Sequence, residues 1–166
     1  MECPNVETPV LVIGIGNSCR GDDSVGRIVV RMIKRRNFPF LRAIEHEGEG
    51  ASLMELWRGA GPVIIVDAVT SGSTPGTVHR FDALLESLPG QIFNVSTHGF
   101  GLVEAVELAR ALRQLPARLV VFGIEGELFK VGVKPSIGVQ QAIPHVVDRV
   151  LEEARTALKT EPMNRE

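Results

Sequence analysis

The chain has 166 residues, of which 44% are hydrophobic and 23% charged, with a formal net charge of −2. These values are typical of one folded domain, spanning residues 1–166, and exclude a disordered chain. The basic cluster Lys34-Arg35-Arg36 suits a helix end, so we predict no nucleic-acid partner. Two cysteines are too few for a disulfide framework. The sequence shows neither a signal peptide nor an apolar run long enough to cross a membrane. We therefore predict a cytoplasmic protein without membrane insertion.

Apolar segments rich in branched residues alternate with helical patterns along the first half of the chain. Residues 9–15 (PVLVIGI) and 62–67 (PVIIVD) are almost continuously apolar, as expected for strands covered on both faces. Between them, helical spacing over 22–36 precedes a short strand at 41–45 and a helix near 51–57. This order predicts an α/β fold: three layers, with a mostly parallel twisted sheet of about five strands flanked by helices on both faces.

The second half continues the pattern. Residues 71–76 (SGSTPG) have the composition of a turn, and 77–81 form a strand that returns along a sheet edge in an undetermined direction. A helix is expected to begin near His98, followed by a strand at 118–124 and a last helix with apolar spacing from 139 to 158. Pro144 marks either the start of that helix or a bend in it. Residues 160–166 are polar and predicted to be a frayed tail.

Ligands of open α/β sheets bind beyond the carboxyl ends of the strands, which selects the loops 14–26, 67–76 and 94–101. Three residues in these loops are candidates: Asp23, Asp67 and His98. Each also has a structural interpretation. Asp22 and Asp23 suit a first helical turn, and we expect Asp22 to serve only there. Asp67 follows the apolar run VIIV, where an aspartate either caps the following loop or belongs to a binding site. A single histidine before a helix, such as His98, is usually a neighbour of the helix N-cap or a hydrogen-bonded polar residue.

Together the three residues predict a site with two carboxylates and one imidazole. Imidazole suits nickel and zinc, and carboxylates leave coordination positions open. Two negative charges would balance one divalent cation. The set therefore suits a metal that arrives with other ligands attached.

Two other kinds of site are weaker. The Gly14-x-Gly16 start resembles a dinucleotide fingerprint, but Cys19 stands where its third glycine belongs, and the acidic pair would repel a pyrophosphate. Cys19 and His98 could pair as nucleophile and base, although a semi-buried loop cysteine is the simpler interpretation. The helix motif HExxH and the elbow GxSxG do not occur in the sequence.

Three segments resemble the nickel–iron hydrogenase maturation endopeptidases. The stretch LVIGIGNSCRGDDSVG is similar to the family's opening signature, VIIVDAV to its second motif and STHGFGL to its third. The family's metal-ligating residues then fall on Asp23, Asp67 and His98. The stretch VGVKPSIGVQQAIP is similar to the family's C-terminal motif.

The resemblance implies a twisted sheet flanked by helices and an endopeptidase. Its substrate would be the precursor of a hydrogenase large subunit, from which it removes a C-terminal extension. The nickel would be carried by that precursor, with cadmium or zinc as surrogates, and Asp23, Asp67 and His98 would be both the metal ligands and the catalytic set. A nickel sensor or chaperone of the same fold, without protease activity, is the alternative. Glu47 and Glu49, which depart from the family's pattern, either line the cleft or are solvated.

Overall fold

The computed structural model describes residues 9–93 and 98–160. A single five-stranded sheet organises them, in the order β2-β1-β3-β5-β4. The strands are β1 (Val10–Ile15), β2 (Leu41–His46), β3 (Val63–Val69), β4 (Val78–Asp82) and β5 (Leu119–Glu125). All neighbours pair in parallel except β4, which lies antiparallel to β5 at the edge. The predicted edge strand is confirmed, and its direction is now defined.

Four helices cover the two faces of the sheet: α1 (Val25–Arg36), α2 (Gly50–Trp57), α3 (Leu102–Ala111) and α4 (Ile137–Thr160). Successive residues of a strand point to opposite faces. Val12 and Ile64 therefore join the core under α1 and α4, whereas Ile13 and Ile65 join the core under α2 and α3. This arrangement explains the continuous apolar runs and confirms the three-layer α/β fold.

Some predicted boundaries move. Strand β3 continues two residues beyond Asp67, because Ala68 and Val69 pair with β5. The helix expected at His98 begins only at Leu102, where the Glu104 carboxylate accepts a hydrogen bond from the Gly101 backbone N–H at 3.0 Å. The strand therefore fixes the backbone of Asp67, while His98 lies in the loop before the helix.

The last helix shows which interpretation of Pro144 holds. Helix α4 begins at Ile137, so Pro144 lies within it and does not start it. The sequence predicts a frayed tail over residues 160–166, but Thr160 still belongs to α4, and residues 161–166 lie outside the described residues. Within 9–93 and 98–160, no helix combines the length and apolarity needed to span a membrane.

The start of α1 packs closely against the sheet. A single 3₁₀ turn (Gly21–Ser24) precedes α1. A Cβ on Gly26 would lie 2.3 Å from the Val66 carbonyl oxygen and 2.5 Å from that of Ile15. Only glycine permits this approach, which brings the turn carrying Asp23 onto the ends of β1 and β3.

Candidate active site

A cleft of about 230 Å³ lies at the carboxyl ends of β1 and β3. Asp23, Asp67 and His98 all line it, so the structure brings the three predicted residues to one place. The other lining residues are Ile15, Gly16, Asn17, Arg20, Arg27 and Glu47. The position agrees with the rule for ligand sites in open α/β sheets.

Asp23 projects from the 3₁₀ turn and is only 7% exposed. The Asn17 backbone N–H donates a hydrogen bond to its Oδ2 at 3.1 Å. Burial raises the pKa of Asp23, and the Asn17 N–H together with the positive charge of Arg20 offsets part of that rise. The carboxylate is therefore held in a fixed orientation at the edge of the cleft.

Asp67 is the more perturbed of the two acids. It is 8% exposed, and its Oδ1 accepts a hydrogen bond from the Ala68 backbone N–H at 2.8 Å. Burial, and then the negative charge of Asp23, raise the pKa of Asp67 to about 8, against the smaller effect of the Ala68 N–H. Two buried carboxylates that repel each other in this way favour a bound cation or a shared proton.

His98, in the loop before α3, lines the same cleft as the two acids. It is partly buried, and it also lines a second cavity of about 110 Å³ that includes Asp67. His98 also interacts electrostatically with His46, and burial lowers the pKa of His46. The residues just before it, Ser96 and Thr97 of the predicted motif, lie outside the described residues.

The three candidates are not a closed metal site. Among the residues that the structure describes, no three His, Cys, Asp or Glu side chains are grouped so as to hold a metal ion by themselves. Two carboxylates and an imidazole along an open cleft can instead supply oxygen and nitrogen donors to an ion that brings ligands of its own. That they share one ion remains a proposal.

Asp22 has a different role from the one its position predicts. Its side chain is fully buried and does not cap its own helical turn. It accepts hydrogen bonds from the backbone N–H groups of Glu127, Leu128 and Ser136 and from the Ser136 hydroxyl. The expectation that Asp22 is structural is correct, but its partners belong to the loop between β5 and α4.

Cys19 is exposed, so the prediction of a semi-buried cysteine is wrong. It does not line the cleft. Its backbone N–H donates to the Asn17 side chain at 2.9 Å, and its carbonyl accepts from Gly132. Nothing in this geometry pairs Cys19 with His98 as a nucleophile.

Sequence reasoning missed two arginines and Asn17. Arg20 and Arg27 line the cleft, and the Arg27 guanidinium bonds both Glu45, at 3.0 Å, and the Gly16 carbonyl, at 3.3 Å. The Arg27–Glu45 pair arises because α1 packs over the parallel pairing of β1 with β2. No local sequence pattern predicts such a contact.

Glu47 and Glu49, the two glutamates that depart from the family's sequence pattern, have different roles in the structure. Glu47 is exposed and lines the cleft. Glu49 caps α2, accepting from the backbone N–H groups of Ala51 and Ser52 at 2.9 and 2.8 Å. These bonds lower the pKa of Glu49.

Comparison with known proteins identifies related sequences over most of the chain. The family model described as "Hydrogenase maturation protease" matches residues 27–153, a span that contains Asp67 and His98 and begins after Asp23. The chain is 27% identical over 154 residues to the hydrogenase 2 maturation protease of Escherichia coli, covering 90% of each sequence. It is 31% identical over 150 residues to a putative hydrogenase maturation protease of Methanocaldococcus jannaschii, covering 86% of this chain and 92% of the relative.

Solved structures share the fold. The hydrogenase maturation protease HybD from Thermococcus kodakarensis superposes with a TM-score of 0.70 at 24% identity, covering 88% of this chain and 99% of the other. The maturating endopeptidase HybD from E. coli gives a TM-score of 0.71 at 21% identity, covering 90% and 93%. At these identities the structures establish the architecture of the sheet and helices.

Proposed function

Because the chain belongs to the hydrogenase maturation protease family, a family of endopeptidases, we propose that it cleaves the C-terminal extension from the nickel-loaded precursor of a hydrogenase large subunit. One observation carries the proposal: Asp23, Asp67 and His98, which come from three separate segments, line one cleft. The nickel is part of the substrate.

The open arrangement of the donors supports an ion that is delivered with its ligands. Cysteine thiolates of the precursor hold the nickel, and Asp23, Asp67 and His98 complete its coordination from the protease. The two carboxylates offset the charge of the divalent cation, which relieves the repulsion between Asp23 and Asp67. Cadmium and zinc, which accept oxygen and nitrogen donors, are expected to substitute for nickel in binding.

Coordination also positions the peptide bond to be cut. With the metal held between β1 and β3, the adjoining segment of the precursor lies in the cleft beside Arg20 and Glu47. Hydrolysis adds one water to the scissile carbonyl carbon, breaks the C–N bond and transfers a proton to the leaving amine. A divalent cation next to these atoms polarises a carbonyl oxygen or a water.

The test is a processing assay. Purified protein is incubated with nickel-loaded and nickel-free precursor, and the length of the large subunit is measured by mass spectrometry. We expect shortening only of the loaded precursor. His98→Ala should abolish the cleavage and leave the thermal unfolding midpoint unchanged, whereas His145→Ala, at an exposed position of α4, should cleave normally.

The other outcomes contradict the proposal in different ways. Tight nickel-dependent association without cleavage would make the protein a nickel sensor or chaperone. Equal cleavage of the nickel-free precursor would remove the metal from recognition. A wild-type rate in His98→Ala would remove His98 from the site.

A further inference from the structure

Beside the cleft, the loop between β5 and α4 is fixed to the loop that carries Asp23. Four hydrogen bonds connect the two loops, apart from those that the Asp22 side chain accepts. Three of them join backbone groups: Gly21 N–H to the Val133 carbonyl, Asp22 N–H to the Leu128 carbonyl, and Gly132 N–H to the Cys19 carbonyl. In the fourth, the Arg20 side chain donates from Nε to the Phe129 carbonyl. The Asp22 carboxylate adds to these contacts, for example by accepting a hydrogen bond from the Ser136 N–H at 2.6 Å. We call residues 126–137 the clamped segment.

Buried charge and close packing hold this segment in place. The Asp22 carboxylate receives all its hydrogen bonds from the clamped segment. A Cβ on Gly21 would lie 2.1 Å from the Leu128 carbonyl oxygen, and one on Gly126 would lie 2.8 Å from the Asp22 Cβ. The segment is therefore held in a fixed position, because its displacement would leave a buried carboxylate without partners.

The clamped segment nevertheless exposes large apolar side chains. Leu128 is 38% exposed, Val131 70% and Ile137 71%. Isolated apolar residues on a surface are ordinary, but three within one short, fixed segment next to a cleft are a feature of protein-binding surfaces. Burying them against a partner would be favourable without any cost for ordering the segment.

The charges of the segment indicate the partner's chemistry. Lys130 and Lys134 are exposed, against a single acid, Glu127. Arg20, which bonds to the segment, lines the adjacent cleft. The chain as a whole has a net charge of −2, so this surface is locally positive on an acidic protein. It complements an apolar surface bordered by carboxylates.

We propose that the clamped segment is the docking surface for the folded body of the precursor, contacting an apolar, acidic patch next to the bound nickel. This inference rests on the proposed function and adds a second contact to it. The cleft holds the metal and the scissile segment, while the clamped segment recognises the protein that carries them. Its contribution is to binding of the precursor and not to bond cleavage.

The test separates binding from cleavage. We measure the Kd of purified nickel-loaded precursor for wild type, Val131→Asp and Lys130→Glu/Lys134→Glu, together with KM and kcat for processing. Each variant should raise Kd and KM about tenfold or more and leave kcat unchanged. For the lysine pair, the dependence of Kd on salt should also fall.

Matched controls come from surfaces remote from the cleft. Leu85→Asp replaces a side chain that is 84% exposed, in the turn at the opposite end of the sheet, and Lys159→Glu reverses a charge in the last turn of α4. Both should bind and cleave as wild type does. Thermal unfolding of every variant shows whether an effect on binding comes from loss of the fold.

Each result has a distinct meaning. If folded Val131→Asp and the lysine pair bind the precursor as tightly as Leu85→Asp, the docking surface is disproved. Precursor that binds through the clamped segment but is not cut contradicts the proposed function and leaves the docking surface in place. If sedimentation instead shows a dimer that Val131→Asp dissociates, the segment binds a second copy of this chain and the inference is overturned.

Discussion

Asp22 and Asp23 are neighbours in the chain, and both are buried, yet their surroundings differ completely. The Asp22 carboxylate accepts four hydrogen bonds, all from the clamped segment. Asp23 accepts one backbone hydrogen bond and faces the cleft with the rest of its carboxylate. The first is paired as a structural anion, whereas the second retains acceptor capacity for a ligand.

Substituting asparagine for each of these acids should separate the two roles. In Asp22→Asn the amide brings two N–H donors to a position surrounded by donors, so the free energy of unfolding should fall by about 2–4 kcal/mol. Asp23→Asn should change it by less than about 1 kcal/mol, because the site already disfavours the charged form. Urea unfolding of both variants checks this, and equal losses would contradict the assignment.

Asp67→Asn should stabilise the protein in a pH-dependent way. The pKa of Asp67 rises from 3.8 to about 8 on folding, so native-state stability declines as the pH rises across that interval and the decline is complete above it. The neutral variant avoids this loss and keeps an oxygen for the Ala68 N–H. We expect a gain of about 1–3 kcal/mol at pH 8 and almost none at pH 4.

The measurement is urea unfolding of wild type and Asp67→Asn across pH 4 to 8, together with the processing assay. The variant should not process the precursor, since an amide is a poor ligand for a divalent cation. A variant less stable than wild type at pH 8 would show that the carboxylate is favourably paired in the native state.

Among the elements, the edge strand β4 is connected to α4 by hydrogen bonds to one carboxylate, that of Glu153. Glu153 of α4 accepts two hydrogen bonds from Arg80, both at 2.9 Å, and one from Arg118 at 2.8 Å. Its side chain is 11% exposed. The hydrogen bonds from Arg80, and then the one from Arg118, lower the pKa of Glu153. This contact connects the only antiparallel strand of the described sheet to the helical layer.

Removing the negative charge of Glu153 should reduce the free energy of unfolding at neutral pH and have no effect in acid. A carboxyl whose pKa is lowered on folding stabilises the native state above its unfolded pKa, near 4.5, and the stabilisation disappears as the pH falls through the folded pKa. Glu153→Gln should lower the unfolding free energy by about 1–2 kcal/mol at pH 7. The difference from wild type should shrink below pH 4.5.

Glu152→Gln is the matched control for Glu153→Gln. Its side chain is 74% exposed and reaches Arg155 only at 3.9 Å, so the substitution should leave the unfolding free energy nearly unchanged at both pH values. An equal loss in the two variants would show that the Glu153 contacts contribute no more than an exposed pair.

The elements differ in how far the sequence predicts them. Strands β1, β3 and β5 are recognisable because burial on both faces leaves continuous apolar runs. Helix α3 begins later than expected, because its capping glutamate follows His98 by six positions and the intervening glycines carry no periodicity. For the site, chain order and strand ends sufficed to place Asp23, Asp67 and His98 in one cleft. The partners of Asp22 lie more than 100 residues away, and only the fold brings them together.

At the scale of the whole molecule, the described residues form two apolar cores that share one sheet. One core lies under α1 and α4, and the other lies under α2 and α3. Alternate residues of the central strands belong to each, as with Val120 and Val121 of β5. Neither core can lose its strands without exposing the other, so the described part of the chain should unfold as one cooperative unit.

Trp57 allows this cooperativity to be measured. It is the only tryptophan, the chain has no tyrosine, and it is buried in the core under α2 and α3. Ile33→Ala opens a cavity in the opposite core and should lower the unfolding free energy by about 2–4 kcal/mol. Because the sheet couples the cores, the urea midpoint of Trp57 fluorescence should fall together with that of far-UV circular dichroism. A fluorescence midpoint that stays at the wild-type value while the dichroism midpoint falls would show that the two cores unfold independently.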